Sequence, residues 1–227
     1  NFFNPDIDFY SFHDLRSGEL RNKPFPIISE IVEDNQQQLY LCTEGNGLIH
    51  YNPATRTYKT ISHIPENPNT LTGDNIKTCY FDRANNELWL GMHLGGVSKV
   101  DIRSGKITQF RHLKPEWEQS DIVRAIVPYE GNLLIATYNG LFLLNKSTGQ
   151  ISLFSEKLHK TVSYFVDLKI DARGNFWIAS RGLYRYNPKT GKTDSWFFSM
   201  VDSTILSNNN TMKILIDSKQ RIWIATN

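Results

Sequence analysis

The chain has 227 residues, 40% hydrophobic and 12% aromatic, so it has enough apolar side chains for a substantial core and is not a disordered tail. Its formal charge of +2, from 25 Lys and Arg against 23 Asp and Glu scattered along the chain, does not favour a nucleic-acid or anionic-membrane surface. No run approaches the roughly 18 apolar residues of a transmembrane helix, and the first residues do not resemble a signal peptide. Cys42 and Cys79 are too few for a disulfide framework, and we expect both to be small buried strand residues.

A short apolar unit recurs five times along the chain. Its central residue falls at positions 40, 89, 134, 177 and 223, so successive copies stand 49, 45, 43 and 46 residues apart. The five copies are Leu39-Tyr40-Leu41, Leu88-Trp89-Leu90, Leu133-Leu134-Ile135, Phe176-Trp177-Ile178 and Ile222-Trp223-Ile224. A small residue follows each of them, in chain order Cys42, Gly91, Ala136, Ala179 and Ala225. Because the tryptophans recur in register, we expect them to pack between neighbouring repeats.

Each unit lies within a longer pattern of four short apolar segments. The segment before it ends at a turn rich in Asp, Asn and Gly, residues whose side chains and positive φ angles suit tight hairpins. After it come a Gly-apolar step, a third segment, a second turn and an aromatic-rich fourth segment. No segment keeps a 3.6-residue apolar period, so helices should be minor. Four antiparallel strands in a repeat of about 45 residues are typical of a β-propeller blade.

We therefore predict an all-β fold, a β-propeller of four-stranded antiparallel blades, with about four and a half blades in this chain. The predicted boundaries are a partial blade over 1–12, blades over about 27–61, 75–110, 122–154 and 162–197, and a partial blade over 209–227. A stack of β-sandwiches would not repeat one sequence motif at near-constant spacing. We expect a segment of a larger propeller; the alternative is a five-blade ring closed by pairing the two ends of the chain.

The repeated phrase resembles the two-component regulator propeller repeat over nearly the whole chain. The clearest copies are FWIASRGLYRYNP, residues 176–188, and LWLGMHLGGVSKVD, residues 88–101. The third copy departs, since Leu134 replaces Trp and Asn145-Lys146 replaces Asn-Pro. This repeat fills the periplasmic sensor of hybrid two-component systems of Bacteroidetes, in which a transmembrane helix leads to a histidine kinase.

The resemblance implies a periplasmic sensor that recognises an oligosaccharide and regulates polysaccharide-utilisation genes. It implies as partners the neighbouring propeller and signalling domains of the same protein, and a homodimer in the intact receptor. Any histidine kinase activity would reside in parts of the protein outside this chain, which is itself predicted not to be an enzyme.

Propellers place ligands near their axis, on the face formed by the loops between the second and third strands and by the loops between blades. Loop residues that differ between the copies are the candidates for ligand binding. These are Glu44, Asn46, His93, Trp117, Arg124, Tyr138, Asn139 and Arg181. Tyr138 and Trp117 are expected to stack on sugar rings, and the others to bind hydroxyl or carboxylate groups. The alternative for each is an ordinary solvated loop residue, or for Trp117 a partly buried anchor.

Enzyme motifs are missing from the sequence. There is no hydrolase, phosphate-binding or zinc motif, the six histidines show no ligand spacing, and neither a cofactor nor a metal is predicted. Two other functions stay open. A propeller lyase or glycosidase would need carboxylates converging near the axis, where the early first-strand positions offer only Asp167. A protein-interaction scaffold is the other, although the Gly-His and Trp-Asp signatures of WD repeats are absent.

Overall fold

The computed structural model describes residues 26–111, 122–162, 164–202 and 206–227. This part of the chain forms four four-stranded sheets, one two-stranded sheet and one short helix, and every sheet is an antiparallel meander of consecutive strands. In chain order the elements are Ile27–Glu33 (β1), Leu39–Glu44 (β2), Leu48–Asn52 (β3), Thr57–Ile61 (β4), Ile76–Asp82 (β5), Glu87–Met92 (β6), Val97–Asp101 (β7), Ile107–Phe110 (β8), Val123–Tyr129 (β9), Asn132–Thr137 (β10), Gly140–Leu144 (β11), Ile151–Leu153 (β12), Glu156–Thr161 (α1), Asp167–Ile170 (β13), Phe176–Ser180 (β14), Gly182–Asn187 (β15), Lys192–Trp196 (β16), Thr211–Ile216 (β17) and Ile222–Thr226 (β18).

We call the sheets blades 1 to 5 in chain order. Blades 1 to 4 are β1–β4, β5–β8, β9–β12 and β13–β16, and blade 5 is the hairpin β17–β18. The first strands of successive blades contact each other, β1 with β5, β5 with β9, β9 with β13 and β13 with β17, as they do around the axis of a propeller. The all-β propeller fold is thus confirmed. The partial blade predicted over 1–12 lies outside the described residues.

The hairpin between the first two strands is fixed by an aspartate. Oδ1 of Asp171 accepts the backbone N–H groups of Arg173 and Asn175, both at 2.9 Å. Asp34 and Asp217 accept the same two bonds, from the residues two and four positions later. Turn chemistry therefore explains these repeated carboxylates, as the sequence predicts.

The core is divided among the interfaces between blades. Each of four apolar clusters draws buried side chains from two neighbouring blades, because both faces of an inner sheet are covered by sheets. Pairs from these clusters are Tyr40 and Phe81 for blades 1 and 2, Trp89 and Phe142 for blades 2 and 3, Leu134 and Phe176 for blades 3 and 4, and Ala179 and Ile214 for blades 4 and 5.

The small residue after the apolar unit of blade 2 is required by the next blade. A Cβ atom added at Gly91 would lie 2.5 Å from Cγ1 of Val123, in the first strand of blade 3. Cys42, at the same repeat position in blade 1, is fully buried. Cys42 and Cys79 are both buried free thiols on strands, which confirms the prediction for them.

The repeated tryptophans do not share one environment. Trp89 is fully buried between blades 2 and 3. Trp177 is half-buried and stacks on Trp196, with ring centroids 5.6 Å apart. Trp223 is 53% exposed on blade 5, the last sheet of the described residues, so its packing against a further blade stays a prediction. No described strand covers its face of the sheet.

Candidate ligand-binding site

A β-bulge near the start of the first strand recurs in four blades. The pairing of the first strand with the second skips one residue there, close to the edge at which the second strand ends. A bulge adds an unpaired residue and redirects its side chain, and bulges are frequent beside functional sites. The skipped residues are Ser29, Lys77, Arg124 and Met212. Two of these four positions carry a cation.

The residue that ends or directly follows the second strand lies at the same edge and differs in every blade. It is Glu44 in blade 1, His93 in blade 2, Tyr138 in blade 3 and Arg181 in blade 4. Glu44 and Arg181 each form a β-bridge with the residue that precedes the first strand of the next blade, Asn75 and Asn210 respectively. The fold therefore holds this variable position in a fixed place between neighbouring blades.

A cavity of about 440 Å³ opens at this edge between blades 3 and 4. Its walls are formed by the connection β10–β11, by the end of α1 with the segment before β13, and by the connection β14–β15 with the start of β15. The lining residues are Tyr138, Asn139, Thr161, Val162, Tyr164, Ser180, Arg181 and Tyr184. Three of the predicted ligand-binding residues, Tyr138, Asn139 and Arg181, thus meet in one cavity.

Two stacked tyrosines form one wall. The rings of Tyr138 and Tyr164 lie 4.5 Å apart between centroids, at an interplanar angle of 28°. Cζ of Arg124, another predicted site residue, lies 5.3 Å from the centroid of the Tyr138 ring, a cation–π distance. We call Tyr138 and Tyr164 the tyrosine pair. It offers a partly exposed aromatic surface with two hydroxyl groups.

The electrostatics of this wall are set by two arginines. Burial raises the pKa of Tyr164, and so does the hydrogen bond with Tyr138, whereas the charges of Arg124 and Arg181 act in the opposite direction. None of the eight lining residues is acidic. The cavity presents aromatic, hydroxyl, amide and cationic groups to a ligand.

Glu44, Asn46 and His93 do not line this cavity; Glu44 and Asn46 lie near the junction of blades 1 and 2, and His93 directly follows the second strand of blade 2. Oε1 of Glu44 lies 2.7 Å from Nζ of Lys77. Asn46 is buried, and its backbone N–H donates to Oγ1 of Thr43 at 3.1 Å. Nδ1 of His93 is buried without a hydrogen-bond partner among the described residues. Trp117 lies outside the described residues.

Tyr164 and Tyr184 are site residues that the sequence reasoning missed. Tyr184 lies on β15 two residues after Gly182, at a position that reads only as part of a strand. Tyr164 stands three residues before β13, in the connection between blades 3 and 4. An aromatic residue in a connection between blades was the available signal.

The one acidic candidate for catalysis near the axis is engaged elsewhere. Asp167 is buried, and its Oδ2 accepts the backbone N–H of Ile214 in blade 5 at 3.0 Å. Its Oδ1 accepts the N–H of Leu168 at 2.9 Å. Glu30 makes the corresponding bond in blade 1, where its Oε2 accepts the N–H of Cys79 in blade 2 at 2.7 Å. These carboxylates join neighbouring blades.

The described residues contain neither a metal-binding cluster nor a membrane-spanning helix. No group of three or more His, Cys, Asp or Glu side chains in this part of the chain could hold a metal ion. None of its helices is both long and apolar enough to cross a membrane.

Comparison with known proteins identifies the class of molecule that these blades resemble. No protein-family model matches the chain. A search of curated proteins found histidine kinase P4 of Formosa agariphila, which is 25% identical over 163 residues that make up 70% of this chain and 12% of that protein.

Solved structures with the same fold include extracellular domains of two putative hybrid two-component systems of Bacteroides thetaiotaomicron. The BT3049 domain superposes with a TM-score of 0.66 at 21% identity, over 92% of this chain and 34% of that one. The BT4673 domain superposes with a TM-score of 0.69 at 23% identity, over 83% of this chain and 24% of that one. The chain thus spans about a third or less of each relative. These relatives agree with the resemblance read from the repeat.

Proposed function

We propose that this chain is part of the extracytoplasmic, ligand-sensing propeller of a two-component signalling receptor, and that its cavity between blades 3 and 4 binds an oligosaccharide. The observation that carries the proposal is the meeting of the tyrosine pair with Asn139 and Arg181 at the loop edge of two neighbouring blades. Aromatic faces pack on the C–H patches of sugar rings, and amide and guanidinium groups bind hydroxyl or carboxylate oxygens.

The signalling role is supported by the relatives, which are a histidine kinase and extracellular domains of hybrid two-component systems. In this proposal the chain lies in the periplasm, and the kinase activity resides in other parts of the protein. Bound ligand shifts the equilibrium between two receptor arrangements, which requires a higher affinity for one of them. Neighbouring domains of the same protein, in a homodimer, transmit the shift to the genes of polysaccharide utilisation.

The geometry of the cavity favours binding over catalysis. A glycosidase needs two carboxyl groups that flank the scissile bond, about 5–10 Å apart. The lining residues include none, and both oxygens of Asp167 accept backbone N–H groups. A protein-interaction scaffold remains the second candidate, and the experiment below separates it from the first.

The test is a thermal-shift screen of the intact extracytoplasmic region against plant and host oligosaccharides, followed by calorimetry on each hit. A ligand at 100 times its dissociation constant adds about 2.7 kcal/mol of stability, which such a screen detects. We expect a hit without turnover, and a Kd at least about ten-fold higher for Tyr138→Ala, since stacking contributes on the order of 1–3 kcal/mol.

Tyr58→Ala is the matched control, because Tyr58 is a half-buried tyrosine on β4 of blade 1 that packs away from the cavity. It should leave the Kd unchanged. A hit that binds both variants as tightly as the wild type would overturn the site, and turnover of the hit would favour an enzyme. Failure of every oligosaccharide to bind would overturn the ligand class and favour a protein partner.

A further inference from the structure

We infer that the oligosaccharide bound in this cavity carries an acidic group and that Arg124 and Arg181 bind it. The inference rests on the proposed function, because it names the ligand class of the same cavity. It starts from two arginines beside the cavity that have no acidic partner among the described residues.

Most side-chain cations that are partly buried in this structure have an acidic partner. Lys77, Lys99 and Lys146 pair with carboxylates, and Arg185, which is more exposed, pairs with Asp194 at 2.6 Å. Within the described residues the partly buried Arg124 and Lys169 have no such pair, and neither does the exposed Arg181 of the cavity lining. Nε of Arg124 is buried without a hydrogen-bond partner there. A buried donor with no partner is costly, so this guanidinium favours a bound acceptor.

The repeat provides an internal comparison for Arg124. Lys77 occupies the bulge position in blade 2, and Glu44 at the end of the second strand of blade 1 neutralises it at 2.7 Å. Arg124 occupies the same position in blade 3, but the residue that corresponds to Glu44 in blade 2 is His93. At the junction of blades 1 and 2 the cation at the bulge position is thus neutralised. The equivalent cation next to the cavity, Arg124, has no carboxylate partner among the described residues.

The groups around the cavity add positive charge. The last turn of α1, which leads into Thr161 and Val162 of the lining, carries Lys160, while the one acid of this helix, Glu156, is exposed at the opposite end. A guanidinium forms two parallel hydrogen bonds with a carboxylate or a sulfate ester. The tyrosine pair would pack on the sugar ring while its acidic substituent reaches the arginines.

The test compares acidic ligands with neutral ones of the same backbone. Calorimetry on the intact extracytoplasmic region would use uronic-acid oligosaccharides, their carboxyl-reduced counterparts, and a sulfated neutral oligosaccharide. We expect an acidic member to bind at least ten-fold more tightly than its neutral counterpart, with a Kd that rises with salt. The uronate and sulfate arms identify which acid is recognised.

Arg181→Gln removes the charge of an exposed side chain, so it should fold normally. It should raise the Kd for the acidic ligand about ten-fold and raise that for the neutral counterpart by a smaller factor, because only the acidic group needs the charge. Arg103→Gln is the matched control, because Arg103 is an exposed arginine in the β7–β8 turn, at the opposite edge of blade 2. It should change neither value.

The two proposals fail in different ways. If neutral oligosaccharides bind as tightly as acidic ones, and Tyr138→Ala weakens binding while Arg181→Gln does not, the acidic class is wrong and the site stands. If no oligosaccharide of either kind binds, the proposed function itself is wrong.

Discussion

Replacing Trp177 with phenylalanine should destabilise the protein more than replacing Trp89 does, although Trp89 is the more buried of the two. The two residues occupy the same repeat position, but only one of them has a partner for its indole N–H. Nε1 of Trp177 donates to Oδ2 of Asp171 at 3.0 Å, whereas Nε1 of Trp89 is buried with no partner among the described residues. Trp177 stands six residues after its hairpin aspartate, and Trp89 stands seven after Asp82. The longer hairpin of blade 2 removes the acceptor.

The magnitudes follow from these contacts. Trp89→Phe loses roughly 1–2 kcal/mol of packing but removes a buried unpaired donor that costs about 1–3 kcal/mol. The ring keeps its stacking partner Phe110, at 5.4 Å, and Lys99 over its face. The net change should lie between a destabilisation of about 1 kcal/mol and a stabilisation of about 2 kcal/mol. Trp177→Phe loses a hydrogen bond to a carboxylate and should cost about 2 kcal/mol, despite being less buried.

The measurement is guanidinium unfolding of both variants and of the wild type in the intact protein, followed by far-ultraviolet circular dichroism. Trp89→Ala serves as the reference, and as a large truncation in a closed core it should cost roughly 3–5 kcal/mol. A greater loss of stability for Trp89→Phe than for Trp177→Phe would refute the reasoning, since burial alone would then account for both.

Two further predictions concern the scaffold. Burial raises the pKa of Asp82, but hydrogen bonds from Lys146 and Asn85 outweigh this effect and hold the pKa below its usual range. The carboxylate therefore stabilises the fold above about pH 4, and this contribution is lost as pH falls through the lowered pKa. The stability difference between wild type and Asp82→Asn should therefore shrink between about pH 5 and pH 3 in urea titrations, and a difference independent of pH would contradict the assignment. Gly96→Ala should destabilise the protein by more than about 2 kcal/mol, because φ there is +67° and a Cβ would lie 2.5 Å from the carbonyl oxygen of Phe110. Thermal unfolding measures this loss of stability, and an unchanged melting temperature would contradict the prediction.

The propeller could be predicted because its signals are local and repeated. Asp171 and its copies specify a hairpin through bonds to residues only two and four positions away, and the apolar unit that follows must be a strand buried on both faces. The small residue in each copy is consistent with a neighbouring segment that packs closely against it. Only the structure identifies the neighbouring atom at Gly91 as Cγ1 of Val123.

The candidate site could be predicted only as a set of positions. The variable position after the second strand was found in all four complete blades from sequence, and two of those residues, Tyr138 and Arg181, line one cavity. Tyr164 was missed, because nothing in a single sequence shows that it stacks on a residue of the preceding blade. The repeat also showed that Trp89, Trp177 and Trp223 are equivalent in position, but not what lies against each of them.

The amino-acid sequence by itself thus determined the strands, their turns and their stacking order, because hairpin hydrogen bonds and strand periodicity act between near neighbours. The tertiary structure alone decided which loop residues act together. Glu44 is neutralised by Lys77 of the next blade, while Arg124 and Arg181 remain unpaired within the described residues beside the tyrosine pair. That difference depends on distances between side chains of separate blades, which the packing of sheet against sheet sets.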